Sequence, residues 1–243
     1  MTVTQPETAA VERAVVEVPT IATPPIVQPR WERRLQQVVL VIARLTLAYL
    51  FFANIWWKLP PRFGCANNFA FPTAAADGKL QVNGSTGLCY YIGLESFYAP
   101  QPRRILLADL TRIGGPNIGV DISPLAQLNA AFLNGVVIPN IGVFGYLIFA
   151  AEAFIAISLL LGLFTRLGGL VAIGISAQLL IGLANIPSPF EWEWSYNQMV
   201  LLSLLMVGLA PGRVFGLDAL LRPRLLAAAA NGNPVARIGL LLT

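Results

Sequence analysis

A chain of 243 residues that is 56% hydrophobic and only 12% charged, with mean hydropathy +0.67, departs from the roughly one-quarter charged composition of soluble domains and reads as an integral membrane protein. It contains no histidine, so haem b, chlorophyll-type pigments, copper and most catalytic zinc sites, which lean on imidazole, are not expected to be held by this chain alone, and no metal site is expected. The net charge of +4 reads as arginines that signal topology and meet lipid phosphate, with no motif or basic cluster pointing to nucleic acid.

Residues Met1 to Arg30 are rich in Thr, Val, Ala, Glu and Pro without a sustained period, and PTIATPPIVQP reads as extended and polyproline-prone. A flexible cytoplasmic arm over 1–34 is expected. It is not read as a signal peptide, because no apolar core appears before Leu35 and no small-residue cleavage site follows that core.

From Leu35 to Trp57 the chain has the length of a first span, with Arg30, Arg33 and Arg34 before it and Trp56, Trp57 and Lys58 after it. The arginines mark the cytoplasmic end, and the tryptophans suit the opposite interface. Residues 58–139 follow with charges, Gly and Pro but no spanning stretch, and read as an extracytoplasmic insert. Within it, RRILLADLTRIG and SPLAQLNAAFLNGVV are each expected to form a short helix, the second capped by Ser123 with Pro124 in its first turn and lying along the outer interface. The insert holds both cysteines, Cys65 and Cys89. In an oxidising compartment they are expected to form a structural disulfide, whereas the rival redox-active or metal-binding pair lacks a CxxC spacing and histidines.

The second span, near 140–164, carries one carboxylate, Glu152, close to its middle. A charge at the bilayer centre costs about 2.5 to 3.5 kcal/mol on insertion scales, so it calls for a partner or a polar cavity. A tight turn at Thr165 and Arg166 leads into a third span near 167–186, where glycines and Ser176 allow close helix approach and Gln178 suits an interhelical hydrogen bond. PSPFEWEWSY then interleaves Glu191 and Glu193 with Trp192 and Trp194 and has no basic residue, so it belongs outside, as an aromatic belt or as a lid over the bundle mouth. A fourth span near 195–211 completes the membrane domain, 35–217, and leaves a cytoplasmic tail, 218–243, with a short interfacial helix starting near Asp218.

The expected architecture is therefore an all-α integral membrane protein, a four-transmembrane-helix bundle with a large extracytoplasmic insert between helices one and two. Both termini are expected to be cytoplasmic, in a bacterial-type inner membrane. Arg44 is the only basic residue deep in another apolar span, and at 1.5 Å per residue its depth differs from that of Glu152 by about 5 Å. An intramembrane pair of Arg44 with Glu152 follows as the expectation, either as a structural bridge or as part of a quinone or substrate-anion site with Gln178 nearby. Trp57, Lys58, Glu191, Trp192, Trp194 and Tyr196 are the candidate outer-face contacts.

Arg44, the pair Trp57-Lys58, the block AEAFIAISLLLGLFTRLGGL with Glu152 and the Thr165-Arg166 turn, the EWEWSY loop, and GRVFGLDALL from Gly212 to Leu221 together resemble the DoxX family. The narrower resemblance is to its DoxD-like branch, the small membrane subunit of thiosulfate:quinone oxidoreductase, over about Arg34 to Leu221. It implies a lipid-embedded subunit of a quinone-linked oxidoreductase that works with other membrane-complex subunits and binds no cofactor of its own besides quinone. Electrons would arrive from a partner or from a reduced sulfur substrate at the outer face, where Arg103, Arg104 and Arg112 attract an anion such as thiosulfate. The alternative is a non-catalytic structural or assembly subunit of a larger respiratory or photosynthetic complex, favoured by the absence of histidine. A transporter is disfavoured, since broken spans and inverted repeats are not apparent.

Overall fold

The computed structural model describes residues 29–188 and 193–243. Helix α1, Arg30–Ile55, starts at the residue after Pro29, earlier than the expected Leu35, and continues through a 3₁₀ turn, Trp56–Lys58. No Gly or Pro interrupts it from Trp31 to Lys58, so nothing breaks the ladder. Its 29 residues span about 43 Å, more than the roughly 30 Å of hydrocarbon in a bilayer. Leu35, Val38, Ile42, Leu45, Tyr49, Phe52 and Trp56 are exposed at intervals of three or four, while Arg44, Leu47, Ala48 and Phe51 turn inward. An apolar stripe of that length on the outside is what lipid accepts and water does not.

Helices α2, Gly87–Tyr98, and α3, Ser123–Phe132, lie in the segment that follows. From α3 the chain passes through a π turn, Leu133–Val137, and a 3₁₀ turn, Ile138–Asn140, into α4, Ile141–Leu161. Pro139, which has no N–H to donate, sits at this irregularity. The expected separate interfacial helix is thus the first part of one 39-residue helical run, Ser123–Leu161. Gly162 ends that run in the left-handed conformation, φ 64°, where a side chain would be strained. Helix α5, Thr165–Leu183, begins where a connection was expected, and α6 is Glu193–Leu209.

One apolar core joins four of these helices: Leu47 and Phe51 of α1, Ile155 and Leu159 of α4, Ala172 of α5 and Met206 of α6. Among the described residues three helices are long and apolar enough to cross a membrane, within Arg30–Lys58, Ser123–Leu161 and Thr165–Leu183. Helix α6 has 17 described residues, just short of that length. The protein is mostly helical and lipid-associated.

The segment between α1 and α3 departs from expectation in two places. RRILLADLTRIG forms strand β3, Arg104–Asp109, after a small ribbon of β1, Thr73–Ala74, and β2, Leu80–Gln81. It pairs antiparallel with β4, Asn117–Asp121, in a register that sets Arg104 opposite Asp121. Gly114, Gly115 and Pro116 reverse the chain, and the pairing they permit overrides a local helical pattern. Helix α2 was not anticipated, because GLCYYIGLESFY is apolar nearly all round and shows no helical stripe. The N-cap position of α3 is held by Ile122, and Asp121 before it accepts at Oδ1 from the Ser123 N–H at 2.9 Å and hydroxyl at 2.6 Å. Ser123 itself is the first helical residue.

Beyond α6, a 3₁₀ turn at Pro211–Arg213 leads to α7, Leu217–Ala230, and α8, Pro234–Leu242. These pack on each other, and α8 also meets α5, so the tail is a helical hairpin returned to the bundle and not one lone helix.

Candidate functional site

Lys58 Nζ lies 2.6 Å from Glu152 Oε1. Both residues are buried, 8% and 3% exposed, and the pair ties the far end of α1 to the middle of α4. Side chains lean toward the N-terminus of their own helix, so Lys58 at the end of α1 reaches back into the bundle instead of out to the interface. This replaces the expected outer-face role of Lys58.

The expected Arg44–Glu152 pair does not form. Arg44 donates from Nη2 to Phe215 O at 3.0 Å and from Nη1 to Pro211 O at 3.4 Å, with its guanidinium against Gly162. Gly162 follows α4, ten residues past Glu152 and therefore about 15 Å along the axis. Arg44, like Lys58, leans toward its own helix N-terminus, which moves its charge away from Glu152. Lys58 sits at a span's end, where a lysine reads as an interface anchor and not as the partner of a mid-span acid.

A cavity of about 270 Å³ opens beside the pair. Its walls are apolar, with Phe132, Leu133, Phe144, Ile148 and Ile175, and its polar groups are Lys58, Glu152, Glu95, Asn129 and Gln178. A smaller cavity of about 100 Å³ lies on the other side of Lys58 and Glu152, lined by Trp57, Tyr91 and Tyr196. Glu95 of α2, buried, accepts at Oε2 from Gln178 Nε2 at 2.6 Å and from Asn129 Nδ2 at 2.7 Å. Gln178 therefore makes the interhelical bond expected of it, to a carboxylate that sequence reasoning missed. Gly182 of α5 makes room for that carboxylate, which a Cβ there would overlap.

Arg103 is buried, with Nη1 donating to Gly182 O at 3.1 Å and Nη2 to Ala184 O. Burial lowers its pKa and Glu95 opposes the shift. It braces the end of α5 and cannot serve the expected outer anion attraction, which leaves the exposed Arg104 and Arg112. The disulfide Cys65–Cys89 is present and anchors the start of α2 to the turn after α1.

Of the remaining outer-face candidates, Trp57 stacks edge-on with Tyr91 at 5.4 Å. Tyr196 is buried in a cluster with Leu94, Leu183 and Ile186, and Trp194 is exposed. Glu193, beside Trp194, accepts at Oε1 from the Leu106 N–H at 2.6 Å and from Asn197 Nδ2 at 2.9 Å. Glu191 and Trp192 lie outside the described residues.

The site is thus a partly open, mostly apolar chamber with a carboxylate–ammonium pair, a second carboxylate held by two amides, and one buried unspent acceptor: Glu152 Oε2 has no hydrogen-bond partner among the described residues. Such an oxygen is costly in a dry site unless a donor meets it. The residues fit a small, flat, mostly apolar molecule with a hydroxyl at its rim.

No curated protein and no solved structure matches the chain. Residues 117–237 match the family described as TQO small subunit DoxD, a stretch that runs from β4 into α8 and carries Glu152, Gln178 and Asp218. Through that half of its length the chain belongs to the DoxX/DoxD-like family of membrane proteins.

Proposed function

We propose that the chain is the membrane subunit of a quinone-linked oxidoreductase of the thiosulfate type, and that the cavity beside Lys58 and Glu152 seats the quinone head group. The reading rests above all on the unpartnered Glu152 Oε2 in an apolar chamber near the middle of α4. The quinone supplies the two-electron chemistry, with electrons arriving from a partner subunit or a reduced sulfur substrate. The protein's residues would bind and orient it: Phe132, Phe144 and Ile175 would exclude water, and Glu152 Oε2 would accept a hydrogen bond from a hydroxyl of the reduced, quinol form. Lys58 holds the other oxygen, Oε1, at 2.6 Å and so fixes the orientation of the carboxylate. In this reading α6 is a fourth span, α2 and both hairpins form the extracytoplasmic insert, and both termini are cytoplasmic in a bacterial-type inner membrane. Cysteine-accessibility labelling that placed position 166 outside would overturn that orientation.

The test is photolabelling of the purified chain in nanodiscs by an azidoquinone, with competition by unlabelled quinone. A Cβ added at Gly174, on the cavity wall, meets nothing within 4 Å, so Gly174→Leu adds bulk at the chamber wall from an unobstructed Cβ and improves helix propensity by up to about 1 kcal/mol. This variant should fold as well as the parent and lose labelling at least about tenfold, the equivalent of about 1.4 kcal/mol. Undiminished labelling in a folded Gly174→Leu protein would remove the quinone reading. A structural or assembly subunit, in which Lys58–Glu152 only clamps helices, would then stand.

A further inference from the structure

At the opposite end of the bundle from the disulfide, three segments meet in a knot. Asp218 Oδ2 accepts from the Thr165 N–H at 3.0 Å and hydroxyl at 2.6 Å, and Oδ1 accepts from the Phe164 N–H at 2.7 Å. Gly212 is pressed against both, since a Cβ there would lie 2.5 Å from Asp218 Oδ2 and 2.6 Å from Thr165 Cγ2. Each of these residues has an arginine beside it: Arg166 follows Thr165, Arg213 follows Gly212, and Arg222 stands one helical turn beyond Asp218 on the same face of α7. The knot therefore gathers three guanidinium groups from α5, the turn after α6, and α7.

These arginines have little to neutralise them. Both oxygens of Asp218 are committed to the first turn of α5, and the two ion pairs among the described residues, Lys58–Glu152 and Lys79–Asp77, involve none of the three. Arg213 spends both Nε, at 3.2 Å, and Nη2, at 2.5 Å, on the backbone oxygen of Thr243. Arg166 Nε and Arg222 Nη1 are buried without a hydrogen-bond partner among the described residues. The pKa of Arg213 is lowered by burial first, then by the fields of Arg166 and Arg222, and Asp218 only partly offsets this. Half-buried Arg213 stands within the field of both Arg166 and Arg222, and those two keep unspent donors, an arrangement suited to receiving an anion. The planar donor fork of arginine matches tetrahedral oxyanions.

We infer that Arg166, Arg213 and Arg222 form a binding site for a phosphate group, carried by an anionic lipid headgroup or by a soluble phosphate compound. Exposed Phe215, Leu217 and Leu220 flank the cluster and offer a surface against which an acyl chain can lie. The site is remote from the Lys58–Glu152 cavity and independent of the quinone reading.

The experiment is native mass spectrometry of the full chain released from detergent, titrated with phosphatidylglycerol, phosphatidylcholine or inorganic phosphate. Retention of phosphatidylglycerol over phosphatidylcholine by about tenfold or more, lost in Arg166→Gln/Arg222→Gln and kept in Arg224→Gln, supports the site with a lipid source. Retention of inorganic phosphate with the same variant pattern supports it with a soluble source. Arg224 is exposed on α7, so equal losses in Arg224→Gln and the double variant would reduce the effect to surface charge and overturn the proposal. Absence of preference in the parent protein would do the same. If the double variant does not fold, hydrogen exchange decides on the parent chain: phosphatidylglycerol nanodiscs, compared with phosphatidylcholine ones, should slow exchange at 162–166 and 211–224, and identical exchange there would sink the inference.

Discussion

Lys58, the last residue of the turn that closes α1, and Glu152, midway along α4, meet at 2.6 Å with almost no access to solvent. Removing one partner from a buried pair strands the other, at about 3–5 kcal/mol, whereas replacing both with apolar residues of similar size is often nearly neutral. Lys58→Met and Glu152→Met are each expected to lower thermal stability in detergent, and the double variant to recover most of the loss. A double-mutant cycle with no coupling would mean that the pair holds nothing together. If the quinone reading is right, the recovered double variant still fails to bind quinone, because both polar handles are gone.

The knot at the other end makes a separate prediction. Asp218 is fully buried, satisfies two backbone N–H groups and a hydroxyl at the start of α5, and lies close enough to Arg44 to offset its charge. Asp218→Ala leaves those donors unmet and is expected to cost about 3–5 kcal/mol. A melting temperature unchanged from the parent would show that water takes over these bonds. Phe164, Ala210 and Phe215 all hold left-handed backbone conformations around this knot, a strain that persists only where surrounding bonds fix it. The Asp218 variant should therefore also speed hydrogen exchange at 162–166 and 210–218.

Much of this arrangement was legible in the chain, for reasons that can be named. Long apolar runs give away α1, α4 and α5, since burial in lipid needs little more than length. Glu152 stood out because a lone carboxylate in such a run must be explained, and Gln178 for a similar reason. Lys58 was hidden by its position: at the end of a span a lysine reads as an interface anchor, and only the inward lean of its side chain makes it a partner. Glu95 and Asn129 come from segments outside the apolar runs, so no local pattern ties them to Gln178. Asp218 looked like a helix-start residue of α7, but it caps α5, a relation that exists only once the tail folds back. In β3, strand pairing across the Gly114–Gly115 turn overrode a run that reads equally well as helix.

Asp121 provides a pH-dependent signature outside the membrane. Its carboxyl is held below the ordinary value of 3.8, first by the Ser123 hydroxyl and then by the Ser123 N–H. A folded-state pKa below the unfolded one adds stability above the unfolded value, and that contribution is lost as pH falls through the folded one. Fraying at the start of α3 is therefore expected to begin below about pH 4, read by hydrogen exchange at Ser123 to Gln127. Asp121→Asn should remove the pH dependence. If parent and variant exchange alike across that range, the Asp121–Ser123 bonds contribute nothing.

Cys65 and Cys89 are joined across 24 residues of sequence, a loop whose closure stabilises by about 3.5 kcal/mol through chain entropy. The bond does more than shorten a loop. It fixes the turn after α1, which ends at Lys58, against α2, which carries Tyr91 and Glu95, and backbone bonds from Thr86 N to Gly64 O at 2.6 Å and Leu88 N to Phe63 O at 3.0 Å run alongside it. Both cavities near Glu152 have walls on each side of this junction. Mass mapping under non-reducing conditions of protein from the native membrane should find Cys65 and Cys89 in one cross-linked peptide pair, and two free thiols there would contradict the bond. Cys65→Ala/Cys89→Ala should keep the core of α1, α4, α5 and α6 intact but loosen the seat of Lys58. The expected result is faster hydrogen exchange over 57–65 and 86–95 with little change in 155–175. Equal protection in both regions would mean that the backbone bonds alone hold the insert in place and that the disulfide is dispensable to the site.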